Sequence, residues 1–241
     1  MINIEILGKF FDNHSLSIIN RQLAIQLNKV EDFNIVITPL DPLSNDFKVD
    51  KNVLKTIKSL SEKECDVADI QIRHSYPPVW NWPTHEETKV IYIQPWEFGK
   101  VPFEWQYKFE TFSDMLCVPS NYEKEIFVTG GMNPDNITVV PNGYDEKVFN
   151  LDPVDPYPGI DTDKYNFVFV GNGQWRKGVD ILLNAWKDAV KKFDNCALII
   201  KDNPAVYGMN NLLNEIIKLQ YKTQCADIIY IDDQLSNEEM A

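Results

Sequence analysis

Cysteine and histidine are scarce in this chain, and their spacing excludes the common metal sites. The 241 residues include four cysteines and three histidines, with no CxxC pair and no His or Cys at the spacing of zinc ligands. Cys117 and Cys196 lie inside apolar runs, where a cysteine is usually a small buried hydrophobic residue. The sequence therefore predicts no metal site.

Basic residues are also few, and long apolar runs are missing. The chain has 23 Lys and Arg against 36 Asp and Glu, which gives a formal net charge of −13. So acidic a surface repels nucleic acid and anionic lipid, and a phosphate site has to be a local concentration of positive charge. No basic segment followed by an apolar one begins the chain, and no stretch approaches the length of a membrane span. We expect a cytoplasmic protein without signal peptide, transmembrane segment or nucleic-acid partner.

The residues that are present predict an α/β fold. Short β-rich runs alternate with amphipathic helical patterns, which is typical of a parallel sheet covered by helices. Strands are predicted at 2–7, 33–38, 68–72, 89–93, 114–118, 137–140, 166–170, 196–200 and 228–231. Helices are predicted at 16–30, with Ser15 as the N-cap, and at 52–62, 179–193 and 211–219. Ser236 and Glu239 have the spacing of a capping box at the start of another helix.

A change in composition divides the chain. Residues 145–164 are rich in Asp and Pro and have little apolar periodicity, and a predicted tight turn at 141–143 precedes them. We place an N-terminal domain at 1–144, a linker at 145–164 and a second domain at 165–241. The second domain contains only a βαβαβ unit, about half of a doubly wound sheet, so we expect it to be truncated.

Loops after the predicted strands contain aromatic and titratable side chains at the edge where open α/β sheets bind ligands. The aromatic residues are Trp80, Trp82, Trp96, Phe98, Phe103 and Trp105. We expect most of them to be core, with Trp80 or Trp96 as the exposed contacts for a sugar. His74 and Glu97 are candidates for catalysis, although a histidine or glutamate in such a loop is more often structural.

The loop from Gly171 to Gly178 is the most specific local feature. It connects a predicted buried strand to a helix, and its glycines, Gly173 included, allow the backbone to approach a ligand closely. Arg176 and Lys177 lie at the helix N-terminus, where cations oppose the helix dipole unless an anion binds there. The alternative is a pair of solvated surface cations. As a dinucleotide fingerprint the spacing is poor, because Arg176 stands in place of the third glycine.

Four segments in this order resemble family 4 glycosyltransferases of the GT-B fold. They are SDMLCVPS (113–120), ITVVPNGYDEKVF (137–149), FVFVGNGQWRKGVDILLNAW (167–186) and IIYIDDQLSNEEM (228–240). The resemblance implies two Rossmann-type domains facing a cleft, a nucleotide-sugar donor, no obligatory metal or other cofactor, and retention of anomeric configuration. It also implies a Glu-x7-Glu pair that grips the donor, and this pair would lie beyond Ala241.

The resemblance assigns roles to several residues. Lys177 matches the family's phosphate-binding lysine, and Arg176 replaces a second cation for which this sequence has Asn172. Gly8 matches the glycine of the first loop, opposite the donor phosphates. Where the family often has a histidine after the strand at 89–93, this sequence has Gln-Pro-Trp-Glu, so Glu97 or His74 is expected to contact the sugar.

The resulting hypothesis is a fragment of a retaining glycosyltransferase that moves a sugar from a UDP- or GDP-sugar to a hydroxyl of a glycan, lipid-linked or protein acceptor. One alternative is a binding module that docks an acceptor or a partner chain and catalyses nothing. Another is an NAD-dependent oxidoreductase, which the sequence disfavours. It has no glycine fingerprint after Gly8 and no acidic residue after the second strand, at 37–39.

Overall fold

The computed structural model describes residues 1–43, 49–204, 211–233 and 235–240. Contacts divide the chain into two compact units, Met1–Tyr144 and Asp145–Ala241, here called unit 1 and unit 2. Among the described residues, no helix is long and apolar enough to cross a membrane.

Unit 1 is a parallel sheet with helices on both faces. Its elements are β1 (Ile2–Gly8), α1 (Ser15–Leu27), β2 (Phe33–Pro39), α2 (Lys51–Ser61), β3 (Ile70–His74), β4 (Lys89–Ile93), α3 (Phe103–Phe112), β5 (Met115–Val118), α4 (Asn121–Thr129), a 3₁₀ turn (Pro134–Asn136) and β6 (Ile137–Val139). The strand order is β2-β1-β3-β4-β5-β6, with every neighbouring pair parallel. This arrangement confirms the predicted α/β class.

Two apolar cores cover the two faces of this sheet. Because side chains alternate along a strand, Ile4 and Ile6 of β1 join one core with α1 and α2, whereas Val90 and Tyr92 of β4 join the other with α3 and α4. The first core includes Ile35, Ile37, Ala24 and Ile57, and the second includes Leu116, Val118, Phe109 and Phe127. Both cores hold the strand ends in fixed positions.

The beginning of α1 differs from the prediction. The helix begins at Ser15 itself, and His14 is the N-cap residue, with no side-chain hydrogen bond at the cap. The polar residues that precede the helix are used differently, since the Asp12 carboxylate accepts hydrogen bonds from the His14 N–H at 2.8 Å and from the Ser17 hydroxyl at 2.5 Å. His14 therefore stands at the cap position predicted for Ser15, and Asp12 holds the residues around it.

Helices α3 and α4 were not predicted. Phe103 and Trp105 of α3 were placed at loops, yet Trp105, Phe109 and Phe112 recur at steps of four and three and pack into one core. The start of α4 has an N-cap as well, because the Ser120 hydroxyl accepts a hydrogen bond from the amide of the residue three positions on. Both signals are present in the sequence.

Strand β3 lies two residues beyond its predicted position of 68–72. The observed strand contains two polar residues: Gln71, inside the predicted range, and Arg73, beyond its end. Both are buried, and each is hydrogen-bonded to a neighbouring side chain. A hydrogen-bonded polar network thus replaces the apolar alternation that the prediction required.

Unit 2 is a second, smaller parallel sheet. Its elements are β7 (Tyr165–Val170), a 3₁₀ turn (Trp175–Lys177), α5 (Val179–Ala189), β8 (Cys196–Lys201), α6 (Leu212–Lys222), β9 (Asp227–Ile231) and α7 (Asn237–Met240), with strand order β7-β8-β9. The predicted capping box is confirmed, because the Glu239 N–H donates to Ser236 Oγ at 3.2 Å and the Ser236 N–H donates to Glu239 Oε2 at 2.7 Å.

The prediction that β7 is buried is wrong for the described residues. Tyr165 is 69% exposed, Val168 65% and Val170 62%. Within the part of the chain that the structure describes, β7 pairs with β8 on one side only, and of its aromatic side chains Phe169 packs against the unit 2 core. The apolar sequence of β7 is that of a central strand, while its position here is that of an edge strand.

Candidate functional site

The carboxyl ends of β7, β8 and β9 form one edge of the unit 2 sheet. Gly171 follows β7, and its N–H donates to the carbonyl of Lys201, the last residue of β8, at 3.0 Å. The Asp202 N–H donates to the carbonyl of Ile231, the last residue of β9, at 2.8 Å. Backbone hydrogen bonds thus hold the three strand ends together at the edge where parallel sheets bind ligands.

The glycine loop leads from this edge into α5. Buried Asn172 accepts a hydrogen bond from the Gln174 N–H at 3.4 Å. Gly178 is the N-cap of α5 and has φ +71°, a left-handed conformation in which a side chain would be strained. The loop therefore reaches the helix through a turn that depends on glycine.

Arg176 and Lys177 lie in the 3₁₀ turn immediately before α5, and both are exposed. The structure thus brings Gly171, Gly173, Arg176, Lys177 and Gly178 together in a single loop between a strand end and a helix N-terminus. The unpaired N–H groups of the first turn give this end of the helix a partial positive charge. Two cations and a helix N-terminus make the loop a local positive site on an acidic chain.

A buried lysine at the end of β8 was missed by the sequence analysis. Lys201 is 9% exposed, and its ammonium donates to the carbonyl oxygen of Asp202. Burial lowers the pKa of Lys201, and the nearby carboxylates of Asp202, Asp232 and Asp233 oppose this shift. The signal available in the sequence was a Lys-Asp pair at the end of an apolar strand, where Lys201 pairs with Val170, the last residue of β7.

Asp202 is fixed in place by neighbouring donors. It is 1% exposed, and its carboxylate accepts hydrogen bonds from the Tyr230 hydroxyl at 2.7 Å and from the Asn203 N–H at 2.7 Å. Burial and this hydrogen bond raise the pKa of Tyr230. The carboxylate of Asp202 therefore stands beside the Lys201 ammonium and offsets its charge towards an anionic ligand.

In unit 1, the strand order places a switch point between β1 and β3. The chain passes from β1 to β2 on one side and returns to β3 on the other, so ligands are expected at the carboxyl ends of β1 and β3. Gly8 and His74 are register partners at these ends. Glu97 is exposed in the loop after β4, the strand next to β3. The three predicted residues of unit 1 therefore lie along one edge of the sheet.

Gly8 has no room for a side chain. A Cβ atom there would lie 2.4 Å from Asn20 Nδ2 and 2.5 Å from the carbonyl oxygen of His74. We expect Gly8→Ala to lower the free energy of unfolding of unit 1 by about 1–3 kcal/mol, because the backbone of β3 has to move. Gly99→Ala is the matched control, since a Cβ at Gly99 meets nothing within 4 Å.

Urea unfolding of the two glycine variants, followed by tryptophan fluorescence, measures this difference. The control should unfold at the urea concentration of the parent chain. Equal urea midpoints of unfolding for Gly8→Ala and the parent would show that β1 and β3 are less closely packed at Gly8 than in the structure.

The environment of His74 fixes its protonation state. His74 is 1% exposed, and burial lowers its pKa to about 4, so the imidazole is neutral at pH 7. Asn20 Nδ2 donates to the carbonyls of Lys9 and His74, at 3.0 and 3.1 Å, which leaves Asn20 Oδ1 to accept a hydrogen bond from His74 Nδ1 at 2.7 Å. The Nε2 atom of His74 then carries the lone pair and is an acceptor.

The loop after β1 is held by charged residues that the sequence analysis did not single out. The Asp41 carboxylate accepts hydrogen bonds from the N–H groups of Phe10 and Phe11, each at 2.8 Å. Buried Arg21 donates to the carbonyls of Phe10 and Asp12, each at 2.7 Å. Burial lowers the pKa of Arg21 to about 10, although both aspartates favour its charge. The loop next to Gly8 is therefore rigidly positioned from both sides.

A buried polar network crosses β1, β3 and β4 on one face of the sheet. Gln71 Nε2 donates to Glu5 Oε2 at 2.6 Å, and Arg73 Nε donates to Gln71 Oε1 at 2.6 Å. Arg73 Nη1 donates to the Tyr92 hydroxyl at 2.9 Å and to the Asn81 carbonyl at 2.7 Å. Arg73 thereby attaches the loop between β3 and β4 to the sheet.

The prediction that Trp80 or Trp96 is the exposed aromatic contact is wrong. Both are partly buried, and the Trp80 ring packs 4.8 Å from Phe109 of α3. Of the six aromatic residues predicted for these loops, the strongly exposed ones are Trp82 (66%), Phe98 (52%) and Phe103 (79%). The unpredicted helix α3 is the cause, because it supplies partners for Trp80 and Trp96 that a loop would not have supplied.

Comparison with known proteins supports the fold. No protein-family model matches the chain, and no curated protein does so either. The crystal structure of Anabaena Alr3699/HepE in complex with UDP and glucose has a TM-score of 0.55 at 12% identity, covering 98% of this chain and 70% of that one. The apo form of the lipopolysaccharide outer core galactosyltransferase WaaB has a TM-score of 0.53 at 14% identity, covering 97% of this chain and 68% of that one. These similarities confirm the predicted α/β fold of the GT-B class.

Proposed function

We propose that this chain is the larger part of a retaining, family-4-like glycosyltransferase that transfers a sugar from a UDP- or GDP-sugar to a hydroxyl acceptor. The observation that carries the proposal is the pair of exposed cations, Arg176 and Lys177, on a glycine loop at the N-terminus of α5. Two structural neighbours agree with it, since HepE was solved with UDP and glucose and WaaB is a galactosyltransferase.

In unit 2 the glycine loop would hold the diphosphate of the donor. Gly171 and Gly173 let the backbone approach the phosphates, and the N–H groups at the start of α5 donate to them. As the bond between sugar and phosphate breaks, negative charge grows on the departing nucleoside diphosphate. Lys177 and Arg176 stabilise this charge, so the reaction needs no metal ion bound by the protein.

In unit 1 the residues at the switch point would bind the acceptor and the reacting sugar. The Nε2 atom of His74 would accept a hydrogen bond from a sugar hydroxyl, and the exposed Glu97 carboxylate would accept a second. Because its pKa of about 4 keeps His74 neutral at pH 7, we assign it to positioning rather than to proton transfer. The rigid loop around Gly8 keeps this edge in shape.

The exposure of β7 supports the proposal that the complete enzyme is longer. Strands of parallel sheets are normally covered on both faces and paired on both edges. Val168 and Val170 are instead 65% and 62% exposed. We infer that further strands pack beside β7 in the complete enzyme and bring the Glu-x7-Glu pair that holds the sugar and ribose. This chain alone should therefore bind nucleotide weakly and transfer little sugar.

Replacement of Lys177 tests the donor site. In calorimetric titrations we expect weak binding of UDP or GDP to the parent chain, and a loss of about ten- to a hundredfold in Lys177→Ala, because a charge-assisted contact to phosphate disappears. The matched control is Lys187→Ala, which removes the same charge about 15 Å further along at roughly 1.5 Å per helical residue.

The alternative of a binding module makes a different prediction in the same titration. A folded parent chain that gives no heat with either nucleotide would contradict the donor site and favour a module that docks an acceptor or partner. Equal weakening by Lys177→Ala and Lys187→Ala would show that overall charge, rather than the loop, attracts the nucleotide.

A further inference from the structure

A groove opens in unit 1 at the edge of the sheet opposite the candidate site. It has a volume of about 700 Å³ and is lined by the loop before β4, the first residues of β4 and the connection from α3 to β5. The lining residues used below are Trp82, Thr84, Glu86, Lys89, Thr111 and Asp114. The groove lies at the amino ends of β4 and β5, and β4, five residues or about 16 Å long, runs from it towards the carboxyl ends.

An exposed tryptophan forms the apolar wall of the groove. Trp82 is 66% exposed, and its ring centroid lies 4.9 Å from that of Phe112 with 59° between the ring planes. Phe112 in turn packs against the core of this half of the sheet. Trp82 is thus anchored on one side and open on the other. The C–H bonds on a sugar-ring face carry slight positive charge, which the negative face of an indole attracts.

The polar lining suits a ligand with many hydroxyl groups. Thr84 and Glu86 are exposed and line the groove. The Thr111 hydroxyl donates its hydrogen to the Tyr107 carbonyl at 2.8 Å, so its oxygen remains an acceptor. Sugar hydroxyls donate to and accept from groups of this kind, whereas an apolar ligand would leave them unpaired.

The charges of the groove disfavour an anionic ligand. Lys89 is the cation of the lining, and its ammonium donates to Asp114 Oδ1 at 2.9 Å. The other oxygen of Asp114 accepts a hydrogen bond from the Val90 N–H at 2.9 Å. With the ammonium neutralised and a second carboxylate at Glu86, a phosphate would meet net negative charge. The groove differs in this respect from the glycine loop of unit 2.

We propose that this groove is a binding site for a short neutral saccharide, separate from the candidate donor and acceptor residues. Its volume falls in the range of about 300–1,000 Å³ typical of ligand pockets. The sugar stacks on Trp82 and its hydroxyls bond to Glu86, Thr84 and Thr111. Such a site would anchor a glycan at a distance from the reacting hydroxyl, and it does not depend on nucleotide binding by unit 2.

Two-dimensional NMR of the ¹⁵N-labelled chain tests this site, with the indole N–H of Trp82 assigned from the spectrum of Trp82→Ala. The probes are maltose, cellobiose, lactose and N,N′-diacetylchitobiose. We expect at least one of them to shift the Trp82 indole signal at millimolar concentration and to give a saturation-transfer signal. That binding should weaken about tenfold in Trp82→Ala, where the stacking surface is lost.

Phe103→Ala is the control, because it removes another exposed ring of unit 1 that is absent from the groove lining. It should bind the disaccharide as the parent does, and Glu86→Gln should bind it several-fold more weakly while the fold is kept. The proposal is overturned if none of the four disaccharides shifts the indole signal or if binding survives Trp82→Ala. A shift of the same signal on addition of UDP would show that the groove binds an anionic ligand, which contradicts the proposal of a neutral saccharide.

Discussion

Arg73→Met is expected to lower the free energy of unfolding of unit 1 by about 3 kcal/mol. The side chain is 1% exposed and donates to Gln71, to the Tyr92 hydroxyl and to the carbonyls of Val79 and Asn81. Methionine fills much of the volume but donates nothing, so buried acceptors lose their partners. Hydrogen bonds from a charged donor contribute about 1.5–3 kcal/mol each, and the removed arginine no longer has to be desolvated.

The matched control for this prediction is Arg176→Met, which removes an exposed arginine and should change stability by less than about 0.5 kcal/mol. Urea unfolding can be followed by tryptophan fluorescence, since Trp80, Trp82, Trp96 and Trp105 all belong to unit 1. Equal stability of the two variants would mean that the network from Glu5 to Tyr92 contributes nothing. The loop that contains Trp82 should also loosen in Arg73→Met, because Arg73 holds the Asn81 carbonyl.

As the pH falls from 6.5 to 4, the lowered pKa of His74 is expected to reduce the free energy of unfolding of unit 1 by about 3 kcal/mol. Burial lowers the pKa of His74 from its ordinary value of 6.5 to about 4, so the unfolded chain binds a proton in this range and the folded chain does not. The free energy of unfolding therefore rises with pH between these values. The contribution of His74 is fully present above pH 6.5 and is lost near pH 4. Each unit of pKa difference corresponds to roughly 1.4 kcal/mol.

His74→Asn separates this contribution from that of the carboxylates. The asparagine amide can still donate to Asn20 Oδ1, but it does not titrate. Unfolding free energies at pH 7 and pH 5 should differ less in the variant than in the parent, by about 2 kcal/mol over this interval. An unchanged pH dependence would show that His74 is protonated in the folded chain, and the acceptor role proposed for Nε2 would have to be withdrawn.

The regular parts of the fold were predictable because they follow simple periodicity. Strand β4 lies at 89–93 as predicted, since a short apolar run between polar loops has few alternatives. Phe103 and Trp105 of α3 were assigned to the neighbouring proline-rich loops, although Trp105, Phe109 and Phe112 recur at helical spacing. The exposure of β7 was missed for another reason: its sequence describes a fully covered strand, whereas coverage depends on which neighbours are present.

The candidate sites were predictable where one loop contains the whole pattern. Gly171 to Gly178 are contiguous in sequence, so their spacing alone brought Arg176 and Lys177 to a helix N-terminus. The groove beside Trp82 combines a loop with the connection between α3 and β5, and the His74 environment depends on Asn20. Contacts across such separations depend on strand order, which the sequence pattern did not specify.

We propose that the glycine loop of unit 2 binds the diphosphate of a nucleotide sugar. Amide NMR of the ¹⁵N-labelled chain during titration with UDP tests it most directly, because the chain has only ten glycines and their amide signals lie apart from most others. We expect the largest shifts at the amides of Gly171, Gly173, Lys177 and Gly178, and no shift at Gly99 or Gly131. Shifts confined to other residues, or none at all from a folded chain, would contradict it.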